Sequence, residues 1–422
     1  MEVKHSLLKI IVFLDVFCRS VAVLDYTPAL RNDDTPRDDL IEQYFKLGFS
    51  RVEILSCLAL LHGIQLSLSQ LKRILQRRGL FRRGPQSSLT MVIDAVEKEL
   101  QGSGSVIGYR SMWQRVVNEH GLVVTRKTVR LALKMLDPVG VESRLRHRLQ
   151  RRTYRVPGPN FLWHIDGYDK LKPFGFCVHG CIDGYSRRIM WLEVGPTNND
   201  PVVVVKYFIN CIRQIGGTPR VVRADCGTEN VRVAATQRFL RHNCSDGLSK
   251  EKSFMYGKSV SNQRIEAWWG QLRKGCTVWW INHFKTLRDN GLFCDANIIH
   301  RECLKFCYMP VIRSELLRAA KLWNTHRIRR SKNQVAPSGR PDILYFLPET
   351  ESQRDFKVEI SMEDITTSEE VCCPDDLPID FSPEFASLAE IIMMEHGLEM
   401  SQSPEEAREL YLLLLEEIQH LL

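Results

Sequence analysis

Three carboxylates stand in settings where a charge is expensive. Asp166 follows the apolar run Phe161–Ile165 in FLWHIDGYDKL (residues 161–171), and Asp225 follows Arg220–Ala224 in PRVVRADCGTEN (219–230). Glu266 lies in KSVSNQRIEAWWGQLRK (258–274). An unpaired charge beside an apolar strand is costly, so such an acid calls for a partner. Singly, each has an ordinary explanation. Asp166 would form a turn before Gly167, Asp225-Cys226-Gly227 an Asx turn, and Glu266 would be a plain helix residue. Fifty-eight residues separate the first two and forty the second two. As a set, acids from distant parts of the chain supply hard oxygen ligands for two Mg²⁺ or Mn²⁺ ions about 4 Å apart. One ion would activate a water or a 3′-hydroxyl and the other would stabilise the leaving oxygen, which is phosphoryl-transfer chemistry.

The elements that must position them can be read from hydrophobic pattern and turn signals. Phe161–Ile165, Phe174–Ile182 and Arg188–Val194 read as strands, joined by turns at Lys172-Pro173 and Asp183-Gly184, which suggests an antiparallel meander. Asp200 and Pro201 start a helix over 202–215 that Gly216-Gly217 ends. Arg220–Ala224 is a fourth strand, 231–242 a helix and 253–256 a short fifth strand, ahead of the Glu266 helix. The order β-β-β-α-β-α-β-α is that of a ribonuclease H-like α/β core, a five-stranded mixed sheet with flanking helices. On the last helix Asn262 and Glu266 are one turn apart. Arg273 and Lys274 follow two turns on, so this helix would present an acid, an amide and cations to nucleic acid, with Lys258 a further phosphate contact.

Two helical units precede this core. Residues 36–80 read as three short helices, with capping boxes at Ser50–Glu53 and Ser67–Gln70. The third helix carries Lys72, Arg73, Arg77 and Arg78 and stops at Gly79. A helix, a glycine turn and a basic helix fit a helix-turn-helix, and a small bundle with a solvated basic face fits equally. A second unit has a helix over 90–100, another from Ser111 to Gly121, and a third opened by Thr125-Arg-Lys-Thr-Val-Arg130, so Arg126, Lys127 and Arg130 are candidate DNA contacts. The run Arg144, Arg146, His147, Arg148, Arg151, Arg152, Arg155 is a solvated linker or a phosphate-binding arm, and Pro157-Gly158-Pro159 closes it.

Composition bounds the class. A 422-residue chain that is 44% apolar and 26% charged has room for two or three domains with real cores. The net charge of +8 hides an asymmetry: residues 351–422 hold 19 acidic and 3 basic side chains, leaving 55 basic and 31 acidic in the 350 before them. A basic body fits a polyanion partner. The tail would mask that surface or recruit something else, and its final leucine-rich helix from Ala407 would pack on the body or on another copy. Thirteen scattered cysteines without a CxxC pair fit a reduced, intracellular protein. His300 with Cys303 and Cys307 lacks a fourth zinc ligand and reads as helix cysteines in a core. Leu7–Cys18 resembles a signal sequence, but Asp15 interrupts it and no cleavage site follows, so secretion is not expected. No membrane span is expected either.

These stretches together resemble the integrase core domain of retroviruses and retrotransposon-like elements, the DDE enzymes. WHIDGY is similar to the first-Asp motif, RADCGTEN to the second, with Cys226 where Asn is common, and SVSNQRIEAWWGQLRK to the Glu helix. CIDGYSRRIMWLEV resembles the hairpin that follows the first Asp, in which Asp183 is a family feature and not a ligand. KLWNTHRIRRS, with Trp323, Asn324 and Arg327, and APSGRPDIL resemble later elements. The resemblance implies catalytic and metal-binding roles for Asp166, Asp225 and Glu266, two Mg²⁺ or Mn²⁺ ions, DNA as partner, a homo-oligomer holding two DNA ends, no small-molecule cofactor, and a nuclear site. The gap before Glu266 is longer than in retroviral enzymes, which points to an enlarged loop around 241–252. Paired helix-turn-helix-like units stand where the zinc module would be expected, and the type resembled is the transposon-derived one of eukaryotic genomes. The expected division is a leader at 1–35, helical units at 36–85 and 86–156, the core at 157–347 and an acidic tail at 348–422. The rivals to a DNA strand transferase are a domesticated, non-catalytic DNA-binding protein and a ribonuclease H-like nuclease.

Overall fold

The computed structural model describes residues 26–28, 35–82, 84–145, 156–257, 262–329, 337–373 and 380–421. Two trios of helices lead into the sheet. The first is α1 (Arg37–Lys46), α2 (Arg51–His62) and α3 (Leu68–Arg77). Both expected capping boxes are formed: Ser50 and Ser67 each accept from the backbone three residues on, and Glu53 and Gln70 return the bond. The second trio is α4 (Leu89–Gln101), α5 (Tyr109–Asn118) and α6 (Arg126–Leu136), followed by α7 (Pro138–Leu145). Each trio has its own apolar centre, and the first packs on Leu347 from beyond the sheet.

The sheet has strands β1 (Leu162–Tyr168), β2 (Cys177–Asp183) and β3 (Ile189–Gly195), then a two-residue β4 (Gly217–Thr218), β5 (Val221–Ala224) and β6 (Phe254–Tyr256). The five main strands run in the order β3-β2-β1-β5-β6. β1, β2 and β3 form the antiparallel meander, and β5 joins β1 and β6 in parallel. This is the mixed, ribonuclease H-like sheet that the pattern predicts. Side chains alternate across it. Trp163 and Ile165 of β1 face α8 (Pro201–Ile215) and α9 (Val231–Leu240); Tyr168 faces the opposite layer. That layer holds α10 (Gln263–Leu272), a π turn at Arg273–Thr277, α11 (Val278–Asp289) and the 28-residue α12 (Ile298–Thr325). A bulge in β3 puts Met190 and Trp191 on the same face, opposite the register shift at Cys181/Ile182.

Two sequence motifs prove to be clasps. Asn324 of α12 donates to the Ile189 carbonyl at 3.1 Å and accepts from its N–H at 2.8 Å, which caps the free edge of β3. Past α12, α13 (Pro341–Phe346) brings Asp342 to Arg188, a fully buried pair at 2.9 Å. Tyr26 donates to Asp342, and Arg188 donates to Thr27 at 3.0 Å. Part of the expected leader is therefore built into the core, while residues 1–25 lie outside the described residues.

The acidic tail also folds onto the body. β7 (Val358–Glu359) pairs with β4, and α14 (Met362–Cys372) packs on α8 and α9. Glu369 takes ion pairs from both Lys206 and Arg213. α15 (Pro383–Glu395) and α16 (Pro404–Leu421) close the α12 layer with Leu410, Tyr411 and Leu414 buried. Of the two expected placements for the final helix, this is the body. The same layer buries Cys303 and Cys307 completely, as helix cysteines in a core. The twelve described cysteines are all free thiols.

Candidate active site

The site is built from two strands and one helix. β1 and β5 run in parallel with His164 opposite Arg223. Carried two residues further, that register puts Asp166 alongside Asp225, about one strand spacing away. Asp166 is not at the end of its strand, as the sequence suggested. β1 continues through Gly167 and Tyr168, which still pair with β2. Asp225 does follow the last residue of β5, Ala224. There the buried Asn230 donates to the Asp225 carboxylate at 3.2 Å and to Glu229 at 2.7 Å. Glu229 folds back over Gly227, where a Cβ would stand 2.0 Å from its carboxylate.

α10 is fastened to β1 at its first residue. Asn262 donates from Nδ2 to the Ile165 carbonyl at 2.8 Å, and its Oδ1 lies 2.6 Å from His164 Nδ1. Burial pushes the His164 pKa down to about 3, so the ring is neutral and gives its single N–H to the amide. The expectation that Asn262 contacts nucleic acid is thus revised. It is 1% exposed with both amide atoms engaged, because the helix start must be anchored to the strand. One turn later Glu266 is exposed. Trp269, one more turn along, donates from Nε1 to Asp166 at 2.8 Å and packs on Tyr168 with ring centroids 5.1 Å apart. Trp268 packs against Trp323 of α12, the rings tilted with centroids 4.7 Å apart.

The three acids feel one another. Burial pushes the Asp166 pKa up to about 7, against the Trp269 hydrogen bond, and the charges of Glu266 and Asp225 push it further in the same direction. Among the described residues, no three His, Cys, Asp or Glu side chains are grouped so as to hold a metal ion. Asp166, Asp225 and Glu266 are therefore near one another without forming a closed cage. The donor set nonetheless fits a hard divalent cation: all are carboxylates, and a cation would offset both the burial and the lesser repulsion that raise Asp166. Asp183, by contrast, is a hairpin clasp. It accepts from the Asn160 N–H at 2.8 Å and from the Ser186 N–H and hydroxyl at 2.8 and 2.7 Å.

The cations fall into three groups. Lys72, Arg73 and Arg77 are exposed on α3, and Arg73 and Arg77 line a groove of about 640 Å³ with Arg37. Arg78 belongs to the bundle instead, in ion pairs of 2.7 Å with Asp39 and Glu42. Arg126, Lys127 and Arg130 are exposed on α6, with the Arg126 guanidinium 4.5 Å from the Trp113 ring centre. Arg273 and Lys274 are exposed at the start of the π turn. Arg151, Arg152 and Lys258 lie outside the described residues. Sequence reasoning passed over His164 and saw Trp269 only as packing. A histidine between Trp163 and Ile165 in an apolar strand was the available signal.

A mixed five-stranded sheet in the order β3-β2-β1-β5-β6 with flanking helices defines a ribonuclease H-like core. The family model for the integrase core domain matches residues 153–340. That stretch is thus similar to the integrase core domain, whose family is one of integrase- and transposase-like polynucleotidyl transferases. No curated protein matches the chain.

Proposed function

We propose that this protein cleaves and joins DNA strands as an integrase- or transposase-like enzyme, with Mg²⁺ or Mn²⁺ held by Asp166, Asp225 and Glu266. The observation that supports this reading is that three distant carboxylates lie near one another where β1 and β5 run side by side: burial raises Asp166, and the charges of Glu266 and Asp225 add to it. Two bound ions would activate the attacking hydroxyl or water and neutralise the leaving oxygen. The chain's own groups do the positioning. Trp269 holds the Asp166 carboxylate in place through one oxygen. Asn262 and His164 fix the start of the Glu266 helix against β1. Arg273 and Lys274, on the exposed side of the same helix, attract the phosphate backbone.

The helical units at 36–85 and 86–156 grip flanking DNA through α3 and α6, ahead of a catalytic core at 157–347 and the tail at 348–422. The protein acts in the nucleus, as a homo-oligomer that holds two DNA ends. The test is strand joining with labelled DNA ends and Mg²⁺ or Mn²⁺, comparing wild type with Asp225→Asn. Loss of joining in the variant, with DNA binding kept, is the expected result. Equal activity sinks the assignment of the site. A wild type that binds DNA without cutting it makes the protein a non-catalytic binder, and one that cuts without joining makes it a nuclease.

A further inference from the structure

The helix that bears Glu266 is interrupted by the π turn at Arg273–Thr277 and resumes as α11. There is a packing reason. Trp268, Leu272, Cys276, Trp280 and Phe284 are all buried, at intervals of four. At 3.6 residues per turn such a stripe drifts round the cylinder, and one inserted residue brings it back. Such an insertion disturbs the backbone ladder and frees a carbonyl for an outside partner. Within this turn the Gly275 carbonyl has such a partner: Arg115 donates to it from Nη2 at 2.9 Å.

Arg115 comes from α5, in the second helical unit, and is 3% exposed. Its other arm donates to Glu99 at 2.8 Å and to Ser103 at 3.0 Å. Glu99 also accepts from Arg318 of α12 at 2.6 Å and pairs with His120 at 2.9 Å. Ser103 passes its own proton to Glu315 at 2.6 Å. Beside this network Trp279 of α11 donates to the Gln101 carbonyl at 2.8 Å. The network therefore has two kinds of contact with the core. Arg318 and Glu315 engage it from α12, whereas Arg115 is its member that hydrogen-bonds the π turn, which begins with Arg273 and Lys274. α5 also packs directly on α6, which carries Arg126, Lys127 and Arg130.

We infer that Arg115 is a positioning residue: its bond to Gly275 ties the second helical unit to the Glu266 helix and sets that helix for strand transfer. The inference rests on the proposed function in naming Glu266 as catalytic. A guanidinium is needed because one planar fork serves Glu99, Ser103 and Gly275 at once, which an ammonium cannot do. DNA held by α6 is thereby linked mechanically to the catalytic helix, with this buried guanidinium reaching the turn that interrupts it.

The test compares Arg115→Lys with Arg318→Lys in the full-length protein. Both keep a cation for Glu99, and only the first removes a contact with the π turn. Amide exchange without DNA or metal is expected to speed up about tenfold across residues 274–279 in Arg115→Lys, the size of one lost hydrogen bond, and to change little in Arg318→Lys. In strand joining, kcat should fall about tenfold for Arg115→Lys with DNA affinity within about threefold of wild type. Equal effects of the two variants on exchange would reduce Arg115 to one more structural cation and overturn the inference. So would unchanged exchange in Arg115→Lys. If exchange responds as expected while the wild type joins no DNA, the link between unit and helix stands and the enzymatic reading falls.

Discussion

Asp166 is where the electrostatics of the site can be measured without knowing the substrate. Its pKa of about 7 lies well above that of a free aspartate near 3.9. A raised acid contributes stability below its unfolded pKa and loses it as pH rises through the folded value. The metal-free protein should therefore lose stability between about pH 4 and pH 7 through this group. Asp166→Asn, which cannot ionise, should raise metal-free stability near neutral pH by on the order of 1–3 kcal/mol in denaturant unfolding. A destabilised Asp166→Asn would mean that the carboxylate is paired, not strained. Metal binding must displace the proton, so the gain in Tm from Mn²⁺ should be larger at about pH 8 than at about pH 6. A gain independent of pH would place the ion elsewhere.

At the scale of elements, the helix that presents Glu266 depends on its first residue. Asn262→Ala removes two buried hydrogen bonds and strands His164, which should cost about 2–4 kcal/mol of stability. Under conditions where the variant remains folded, it should still bind DNA and join it slowly. If DNA affinity fell while stability held, Asn262 would be a DNA contact after all. This residue also marks how far the sequence could be read. The order of strands and helices was legible because apolar runs, glycine stops and caps punctuate the core clearly. The three helices of each N-terminal unit were legible for the same reason, through Ser50, Ser67 and Thr125. What stayed hidden is side-chain partnership across distance. An asparagine one turn before Glu266 looks the same in sequence whether it faces DNA or His164, 98 positions away. Nothing in the sequence sets Arg115 apart from a surface cation, and the π turn leaves no sequence mark beyond apolar residues recurring every four. The extension of β1 past Asp166 was masked by Gly167, which reads as a turn but sits in the ladder opposite His179.

For the molecule as a whole, the charge asymmetry is partly settled internally. Glu369 engages Lys206 and Arg213, and Asp380 engages Arg313 at 2.5 Å. Removing residues 351–422 would uncover the layer against which Leu410, Tyr411 and Leu414 pack, so truncation should give an aggregating protein, not a more active one. A soluble, hyperactive truncation would make the tail an inhibitor. Among the described residues no helix is long and apolar enough to cross a membrane. DNA binding should weaken steeply with salt, and each of Lys72→Ala, Arg73→Ala and Arg126→Ala should flatten the log–log salt slope by about 1. Arg78→Ala should leave that slope alone and loosen the first helical trio, since its partners are Asp39 and Glu42.

The central claim is that Asp166, Asp225 and Glu266 act as one metal site. It is tested most directly by single-turnover strand joining in Mn²⁺ with Asp166→Asn, Asp225→Asn and Glu266→Gln measured side by side. Groups that work as a unit fail together, so each variant should lose at least about a thousandfold in rate while keeping the fold and DNA affinity. Near wild-type joining by any one of the three would contradict the site as drawn.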